Sequence, residues 1–217
     1  MVTTLYLIRH GETEGAEISR YKGTLDVPLS EKGMKQVERV SEHILKLMST
    51  IQKEEDALPV SERNLGAVYS SDLSRALKSA EIIARPHSLR PIAVPSLRER
   101  NFGLWEGMSF EEIKEKYHEE FKAWAGNPVE FSPVNGESTL EVRDRVMDAF
   151  EKIVQAHPGG RVAIVAHGGV NRIILCHILG IPLENIFRVE QDFAALNIIE
   201  FWDRYPVVKL MNGIIQE

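Results

Sequence analysis

The sequence predicts a single α/β domain whose mixed, mostly parallel sheet is flanked by helices on both faces. Apolar runs of strand length alternate along the chain with amphipathic stretches of helical period, which is typical of α/β folds. The run RVAIVA at residues 161–166 is almost continuously apolar, as expected for a parallel strand that is buried on both faces. The 217 residues contain no Pro-, Gly- or Ser-rich linker and no internal repeat, so one domain over residues 1–217 is expected.

The first half of the chain alternates strand and helix patterns. Residues 3–9 predict a strand, and Ser30 is placed to cap a helix with apolar positions at helical spacing: Met34, Val37, Val40, Ile44, Leu45 and Met48. Residues 49–64 are charged and contain a proline, which indicates a surface excursion. Three further elements are expected, namely a strand at 65–69, a helix at 73–85 that ends before Pro86, and a short strand at 91–94.

The second half begins with a lid-like insertion, which we place at residues 105–137. Within it, residues 109–125 predict one or two helices and the Gly-, Pro- and Asn-rich residues 126–137 predict a loop. Ser138 and Glu141 have the spacing of a capping box, which opens a helix to about His157. After the strand at 161–166, the pattern predicts a helix to Leu179 and closing strands at 187–190, 194–202 and 207–211, with at least one antiparallel pair.

The composition limits the classes of partner. A net charge of −6 argues against nucleic acid or an anionic membrane surface, although a local arginine cluster can still bind a small anion. The single cysteine, Cys176, has apolar neighbours, which fits a buried structural residue in a reducing compartment and excludes an internal disulfide. No apolar segment is long enough to span a membrane and no secretory signal is recognisable, so we expect a cytoplasmic protein with a small-molecule partner.

Two predicted strands end in the same way. His10 and Gly11 follow the first strand, and His167, Gly168 and Gly169 follow the strand at 161–166. Because ligands of open α/β sheets bind at the carboxyl ends of the strands, both imidazoles are expected in one crevice. The glycines allow backbone amides to approach an anion, and the helix that begins there directs its positive end to the same place.

Two arginines and a carboxylate belong to the same set of loops. Arg9 precedes the first histidine, Arg75 lies in the first turn of a predicted helix, and Glu99 stands between two further arginines. Arginine binds phosphate, and histidine can accept a phosphoryl group or a proton. Each residue taken alone fits an ordinary loop position or a surface ion pair. Their coincidence at strand ends predicts a phosphate pocket with a nucleophile and a proton carrier.

Four ordered motifs resemble those of one family. The strings RHGET, SSDLSRA, LRERNFGLWEG and VAHGG occur in that order, and the similarity extends from Leu5 to about Asn212. Together they are similar to the histidine phosphatase superfamily, also called the phosphoglycerate mutase-like family. The resemblance implies a mixed, mostly parallel sheet flanked by helices. It also implies catalysis through a phosphohistidine, with no metal and no other cofactor.

The resemblance also implies roles for the residues at the strand ends. His10 matches the nucleophile and Glu99 matches the proton donor. The phosphate-binding positions are, in chain order, Arg9, Arg75, His167 and Gly168. Since the cations of such a pocket disfavour a second positive charge, we expect a lowered pKa for His10, opposed by the charge of a bound substrate.

The residues that bind the rest of the substrate are less specific. Gly23 and Thr24 match a stretch that often lines the pocket, whereas Trp105 fits either a wall for the leaving group or the core of the lid. Glu137 fits either a substrate contact or a helix cap. One position departs from the pattern, because many members carry a carboxamide that contacts the phosphoryl group where this chain has Ala16. Either another donor replaces that carboxamide or the pocket is looser.

Three activities compete within the resemblance: phosphatase, phosphoglycerate mutase and sugar bisphosphatase. The stretch between Glu99 and His167 is short, which leaves little room for the lid that keeps water from a phosphohistidine in a mutase. We therefore expect a phosphomonoesterase that acts on a small phosphorylated metabolite. Segments including PLSEKG and FKAWAGNP are similar to α-ribazole phosphatases of cobalamin biosynthesis, which makes α-ribazole 5′-phosphate one expected substrate.

A function of another class stays open, namely a catalytically silent relative that binds a phosphorylated ligand. The complete set of reactive residues argues against it, because silent relatives commonly lose one of them. The closing strands could pair with another chain or be covered, so a monomer and a homodimer are both compatible with the sequence.

Overall fold

The fold is organised around one mixed sheet. A computed structural model describes residues 1–18, 20–54, 64–203 and 205–216. In that part of the chain the strands are β1 (Val2–Arg9), β2 (Leu65–Ser70), β3 (Ile92–Ala93), β4 (Arg161–Ala166), β5 (Leu196–Trp202) and β6 (Tyr205–Gly213). They lie in the order β3-β2-β4-β1-β5-β6. The central pair is therefore β4 and β1, which are far apart in the sequence.

The directions of the strands confirm the predicted mixed sheet. β3, β2, β4 and β1 run parallel to one another, whereas β5 is antiparallel to both β1 and β6. In the register of the central pair, Arg9 lies opposite Ala166. Since these are the last residues of the two strands, the residues that follow, His10 and His167, emerge side by side at one edge of the sheet.

Helices cover both faces of the sheet. In chain order they are α1 (Glu31–Glu54), α2 (Ser74–Ala84), α3 (Phe110–Lys116), α4 (His118–Gly126), α5 (Thr139–Gln155) and α6 (Gly168–Leu179). Apolar residues of α1 and α2 pack on one face, and those of α5 and α6 pack on the other. The short helices α3 and α4 belong to the lid-like insertion. None of the described helices is both long enough and apolar enough to cross a membrane.

Alternation along β1 divides its side chains between two cores. Leu5 and Leu7 belong to the cluster that contains α5 and α6, and Tyr6 and Ile8 belong to the cluster that contains α1 and α2. Full burial of one such aliphatic side chain contributes about 1.5–3 kcal/mol to folding. The strand that carries the first histidine is thus packed tightly on both sides, which gives its carboxyl end a fixed position.

The helix starts agree with the capping residues predicted from sequence. Ser30 precedes α1, and its Oγ accepts a hydrogen bond from the backbone N–H of Gly33 at 3.0 Å. Ser138 and Glu141 form the expected capping box at the start of α5. A second capping box, between Ser109 and Glu112, begins α3. Such caps satisfy backbone N–H groups that have no partner inside the helix.

Two predictions of local structure were wrong. Residues 187–190 were expected as a strand, but Leu183–Arg188 is a 3₁₀ helix. It begins where the N–H of Asn185 donates to the carbonyl of Pro182 at 2.9 Å, and Ile186 is buried in the core without pairing in the sheet. The expected surface excursion at 49–64 starts too early, because α1 continues to Glu54. Its remainder, residues 55–63, lies outside the described residues.

Candidate active site

A cavity of about 530 Å³ opens where β1 and β4 end. Its lining includes every residue for which the sequence predicts a catalytic or phosphate-binding role: Arg9, His10, Arg75, Glu99, His167 and Gly168. These residues come from four separate segments of the chain, and the sheet order brings them together. The residues predicted to form a phosphate pocket therefore line one continuous cavity.

The His10 ring is held in one orientation by its own backbone neighbour. Its Nδ1 lies 2.7 Å from the carbonyl oxygen of Gly11, and the side chain is only 5% exposed. Because a carbonyl can only accept, Nδ1 carries the proton and Nε2 keeps a lone pair. Burial is the largest cause of a His10 pKa well below its usual value, followed by the charges of Arg9 and Arg75. The imidazole is therefore neutral and nucleophilic at neutral pH.

The glycine after His10 permits an unusually close backbone contact. A Cβ added at Gly11 would lie 2.3 Å from the carbonyl oxygen of Gly33 in the first turn of α1. The Gly11 N–H also donates to Oγ of Ser79 at 3.3 Å, and that hydroxyl donates to the carbonyl of Arg75. The loop that follows His10 thus packs closely against both α1 and α2.

His167 stands next to His10. The ring centroids are 5.1 Å apart and the ring planes make an angle of 65°. His167 is fully buried, and neither of its ring nitrogens has a hydrogen-bond partner among the described residues. Burial, followed by the charges of His10 and Arg75, lowers its pKa well below the usual value. The neutral ring therefore has one N–H that can donate to a bound anion.

Arg75 brings a buried positive charge into the cavity. It is 2% exposed, and its guanidinium donates to the carbonyl oxygens of Leu25 at 2.7 Å and Gly23 at 2.6 Å. Carbonyl groups orient the guanidinium without neutralising it, and no carboxylate in the described part of the chain forms an ion pair with Arg75. A buried charge of this kind favours the binding of an anion.

Arg9 is held by a different segment of the chain, at Gln191 and Phe193. Its Nη1 donates to the carbonyl of Gln191 at 2.5 Å, and its guanidinium carbon lies 4.0 Å from the centroid of the Phe193 ring. Burial lowers the pKa of Arg9 to about 10, which still leaves it charged at neutral pH. Two fixed guanidinium groups therefore contribute positive charge close to His10.

The carboxylate of Glu99 is fixed by two backbone N–H groups. Oε1 accepts from Arg100 at 2.9 Å, and Oε2 accepts from Gly169 in the first turn of α6 at 2.9 Å. Behind it, Arg145 donates to the carbonyl of Glu99 at 3.1 Å and forms an ion pair with Glu137 at 2.8 Å. This arrangement places an acid–base group beside His167.

The residues predicted to bind the rest of the substrate divide into two groups. Gly23 and Trp105 line the cavity, whereas Thr24 and Glu137 do not belong to its lining. The backbone N–H and hydroxyl of Thr24 both donate to Glu106, and Glu137 is engaged by Arg145 and by the N–H of Asn101. Thr24 and Glu137 therefore contact other protein groups and do not face the cavity. Glu137 does not cap the following helix, because Ser138 does.

The aromatic residues of the lid pack on one another and also face the cavity. Trp105 stacks on Phe131 at a centroid distance of 5.5 Å and meets Trp124 edge to face at 6.4 Å. Trp124 in turn contacts Phe187, which is 62% exposed. Trp105 thus packs among the aromatic residues of this segment and also lines the cavity.

Several lining residues were not found from the sequence. Lys22, Arg172 and Phe193 contribute to the wall, and Ala16 also lies there as expected. A signal for Arg172 was present, because it follows Gly168 by four positions on α6 and so shares its face of the helix. Phe193 gave no such signal. It lies in a turn after the 3₁₀ helix Leu183–Arg188, and the end of that helix was predicted to be a strand.

The assembled groups match the needs of one reaction class. A neutral buried imidazole, two guanidinium groups, a second imidazole and a fixed carboxylate can accept a phosphoryl group, stabilise its charge and move a proton. Among the described residues, no group of three or more His, Cys, Asp or Glu side chains is placed to hold a metal ion. Fold and site together define an enzyme of phosphoryl transfer.

Comparison with known proteins agrees with this class. A family model of the histidine phosphatase superfamily (branch 1) matches residues 5–213, and the chain belongs to that superfamily. Phosphoserine phosphatase 1 of Hydrogenobacter thermophilus is 31% identical over 208 residues, which are 96% of this chain and 91% of that protein. The adenosylcobalamin/α-ribazole phosphatase of Escherichia coli is 24% identical over 209 residues, 96% of this chain and 95% of that protein.

Solved structures show the same fold. The crystal structure of the α-ribazole phosphatase from Shigella flexneri superposes with a TM-score of 0.81 at 23% identity, covering 99% of this chain and 98% of that one. The α/β architecture is therefore that of phosphoglycerate mutase-like proteins. Family and relatives together identify the chain as a phosphoric monoester hydrolase.

Proposed function

We propose that the protein hydrolyses a small-molecule phosphomonoester by transferring its phosphoryl group to Nε2 of His10, without a metal ion. The observation that carries this proposal is the hydrogen bond from Nδ1 of His10 to the carbonyl of Gly11. It keeps the proton on the nitrogen that faces the backbone, so the other nitrogen has the lone pair that attack on phosphorus needs.

The first half of the reaction forms the Nε2–P bond and breaks the bond between phosphorus and the leaving oxygen. Arg9, Arg75 and His167 stabilise charge on the remaining phosphoryl oxygens, together with the N-terminus of α6. Glu99 enters this step protonated and gives its proton to the leaving oxygen. The product alcohol then departs from the aromatic side of the cavity.

The second half returns the enzyme to its starting state. A water molecule attacks phosphorus, the carboxylate of Glu99 takes a proton from that water, and the Nε2–P bond breaks. Orthophosphate leaves and Glu99 is again protonated. The short lid supports hydrolysis over return transfer, since a mutase must exclude this water.

A phosphohistidine trap tests the proposal. The enzyme is mixed with ³²P-labelled phosphomonoester and quenched within milliseconds in alkali, in which phosphohistidine survives. We expect label on the protein that is lost in acid, and neither label nor turnover in His10→Ala. His118→Ala, at an exposed position of α4, serves as the control and should behave as the unmodified enzyme. Turnover close to that of the unmodified enzyme in purified His10→Ala would contradict the proposal.

For the substrate we propose α-ribazole 5′-phosphate, with phosphoserine as the second candidate. The aromatic wall supports the first, because Trp105, Trp124 and Phe187 offer ring faces and edges to a planar leaving group. A relative that bears the α-ribazole name covers nearly the whole chain. The more similar relative named for phosphoserine supports the second candidate.

A paired assay separates the two substrates. Phosphate release is measured for α-ribazole 5′-phosphate and O-phosphoserine, with 3-phosphoglycerate and fructose bisphosphates testing the mutase and bisphosphatase alternatives. Removing one aromatic contact costs about 0.5–1.5 kcal/mol, so Trp124→Leu should lower kcat/KM for α-ribazole 5′-phosphate about 3- to 10-fold and spare phosphoserine. Tyr205→Leu, at a residue that is 74% exposed on the β5–β6 hairpin, is the matched control. Preference for phosphoserine, with no effect of Trp124→Leu, would reverse the assignment.

A further inference from the structure

Ala16 and Lys22 line the same cavity. The Ala16 side chain is a methyl group and provides no hydrogen bond to a ligand. Lys22 is half-buried, and its Nζ donates to Oγ1 of Thr13 at 2.5 Å and to the carbonyl oxygen of Glu14 at 2.7 Å. These two bonds fix the position of the ammonium group in the wall of the cavity that Ala16 also lines.

The ammonium group keeps unused capacity for an anion. It has three N–H donors, and the two acceptors in the structure are both neutral. Within the described ranges, no carboxylate lies at ion-pair distance from Lys22. One N–H donor of the ammonium group and its positive charge are therefore available to bind an oxygen of a ligand.

The charge of Lys22 also reaches the reactive groups. It contributes to the lowered pKa of His10, after burial and the charges of Arg9 and Arg75. The Lys22 pKa is itself lowered, mainly by burial and next by the charge of Arg75. Lys22 therefore lies within electrostatic range of both His10 and Arg75.

We propose that Lys22 binds an oxygen of the phosphoryl group during its transfer to His10, and so makes the contact that the side chain at Ala16 cannot. This inference rests on the proposed phosphoryl transfer at His10. A compact ammonium group replaces a neutral donor here, which adds a positive charge to the site. The phosphoryl group carries its highest charge as the transition state is reached, and the added charge stabilises it most at that point.

Replacement of the charge tests this contact. Lys22→Met keeps the length of the side chain and removes the charge and the donors, whereas Lys22→Arg keeps the charge. Loss of a charge-assisted hydrogen bond should lower kcat/KM about 10- to 100-fold in Lys22→Met. The inhibition constant for orthovanadate should rise by a similar factor, and Lys22→Arg should recover part of both. Lys78→Met, at an exposed residue of α2 that pairs with Glu81, is the matched control and should change neither.

A second substitution tests the relationship with position 16. Ala16→Asn should improve kcat/KM in the Lys22→Met background and not in the unmodified enzyme, because a carboxamide is useful only where the ammonium is absent. Melting temperatures within about 3 °C of the unmodified enzyme show that the variants are folded. An equal effect of Ala16→Asn in both backgrounds would overturn this relationship.

The outcome for His10→Ala separates this inference from the proposed function. If His10→Ala is inactive while Lys22→Met keeps the kcat/KM and the vanadate affinity of the unmodified enzyme, the contact by Lys22 is refuted and the proposed reaction stands. If His10→Ala remains fully active, phosphoryl transfer to His10 is itself refuted.

Discussion

The carboxylate of Glu99 rests directly on the backbone of Gly169, with Oε2 2.9 Å from the amide nitrogen. A Cβ at position 169 would lie 2.5 Å from Oε1. The proton carrier can therefore reach its place only because the residue below it has no side chain. This contact joins the loop that carries Glu99 to the helix that begins beside His167.

Gly169→Ala should consequently impair catalysis without unfolding the protein. The obstructing atoms belong to the end of a flexible side chain, so Glu99 can move aside at little cost in stability. Displacement of a catalytic group by about 1 Å costs on the order of 100-fold in rate, and we expect a fall of that size in kcat. Steady-state kinetics and thermal melting measure the two effects. Gly126→Ala, at the end of α4 with no atom within 4 Å of the added Cβ, should leave both unchanged. Full activity in Gly169→Ala would show that Glu99 is not needed in this position.

The two buried histidines should make folding stability depend on pH. The pKa values of His10 and His167 are both lowered in the folded state, chiefly by burial. Below about pH 6.5, which is the usual histidine pKa, the unfolded chain binds more protons than the folded one, so acid favours unfolding. The free energy of unfolding is therefore highest above about pH 6.5. It decreases as the pH falls towards the folded-state pKa values of His10 and His167.

Urea unfolding between pH 5 and pH 8 measures this dependence. Each buried histidine contributes a slope of up to about 1.4 kcal/mol per pH unit, so His167→Asn should flatten the curve by about that amount. His118→Asn, at the exposed position on α4, is the control and should keep the slope of the unmodified protein. An unchanged slope in His167→Asn would contradict the lowered pKa.

Arg75 should couple anion binding to thermal stability. Its buried charge has only carbonyl partners in the described structure, so orthovanadate or orthophosphate should bind there and raise the melting temperature. A ligand at 100 times its Kd adds about 2.7 kcal/mol of stability. In Arg75→Met the shift should disappear, whereas in Arg143→Met, an exposed arginine paired with Asp144, it should persist. A shift of equal size in Arg75→Met would exclude Arg75 as a phosphate ligand.

Chelation should not reduce activity. The guanidinium groups of Arg9 and Arg75 and the backbone N-terminus of α6 direct positive charge into the cavity, where a metal would otherwise bring it. We expect rates of p-nitrophenyl phosphate hydrolysis within about 2-fold after prolonged dialysis against EDTA. Complete loss of activity that an added divalent ion restores would point to a metallophosphatase.

The catalytic centre could be predicted from sequence because each of its parts lies beside a strand end. His10 and His167 follow apolar runs directly, and Arg75 follows the second strand by five positions, so the α/β pattern was enough to bring them together. The family motifs then supplied roles that spacing alone does not give. The same local logic located the helix caps at Ser30 and Ser138.

Contacts between remote segments could not be predicted in this way. Arg145 supports Glu99 from the middle of α5, and Gln191 orients Arg9 from a loop that is distant in sequence. Neither position has a local pattern, because each contact joins a side chain to a backbone carbonyl whose location depends on the whole fold. The prediction of a strand at 187–190 was wrong for a related reason: Val189 is buried in the core cluster that contains α6 residues, without pairing in the sheet.

The strand order determines how late in folding the active site can form. β4 lies between β1 and β2, yet it follows both of them by many residues in the chain. Parallel pairing over such separations is slow compared with local helix formation, because a long loop must close before any contact repays its entropy. We therefore expect the two histidines to meet late in folding, after the helices of the first half have formed, so that recovery of activity on refolding lags behind recovery of helical signal.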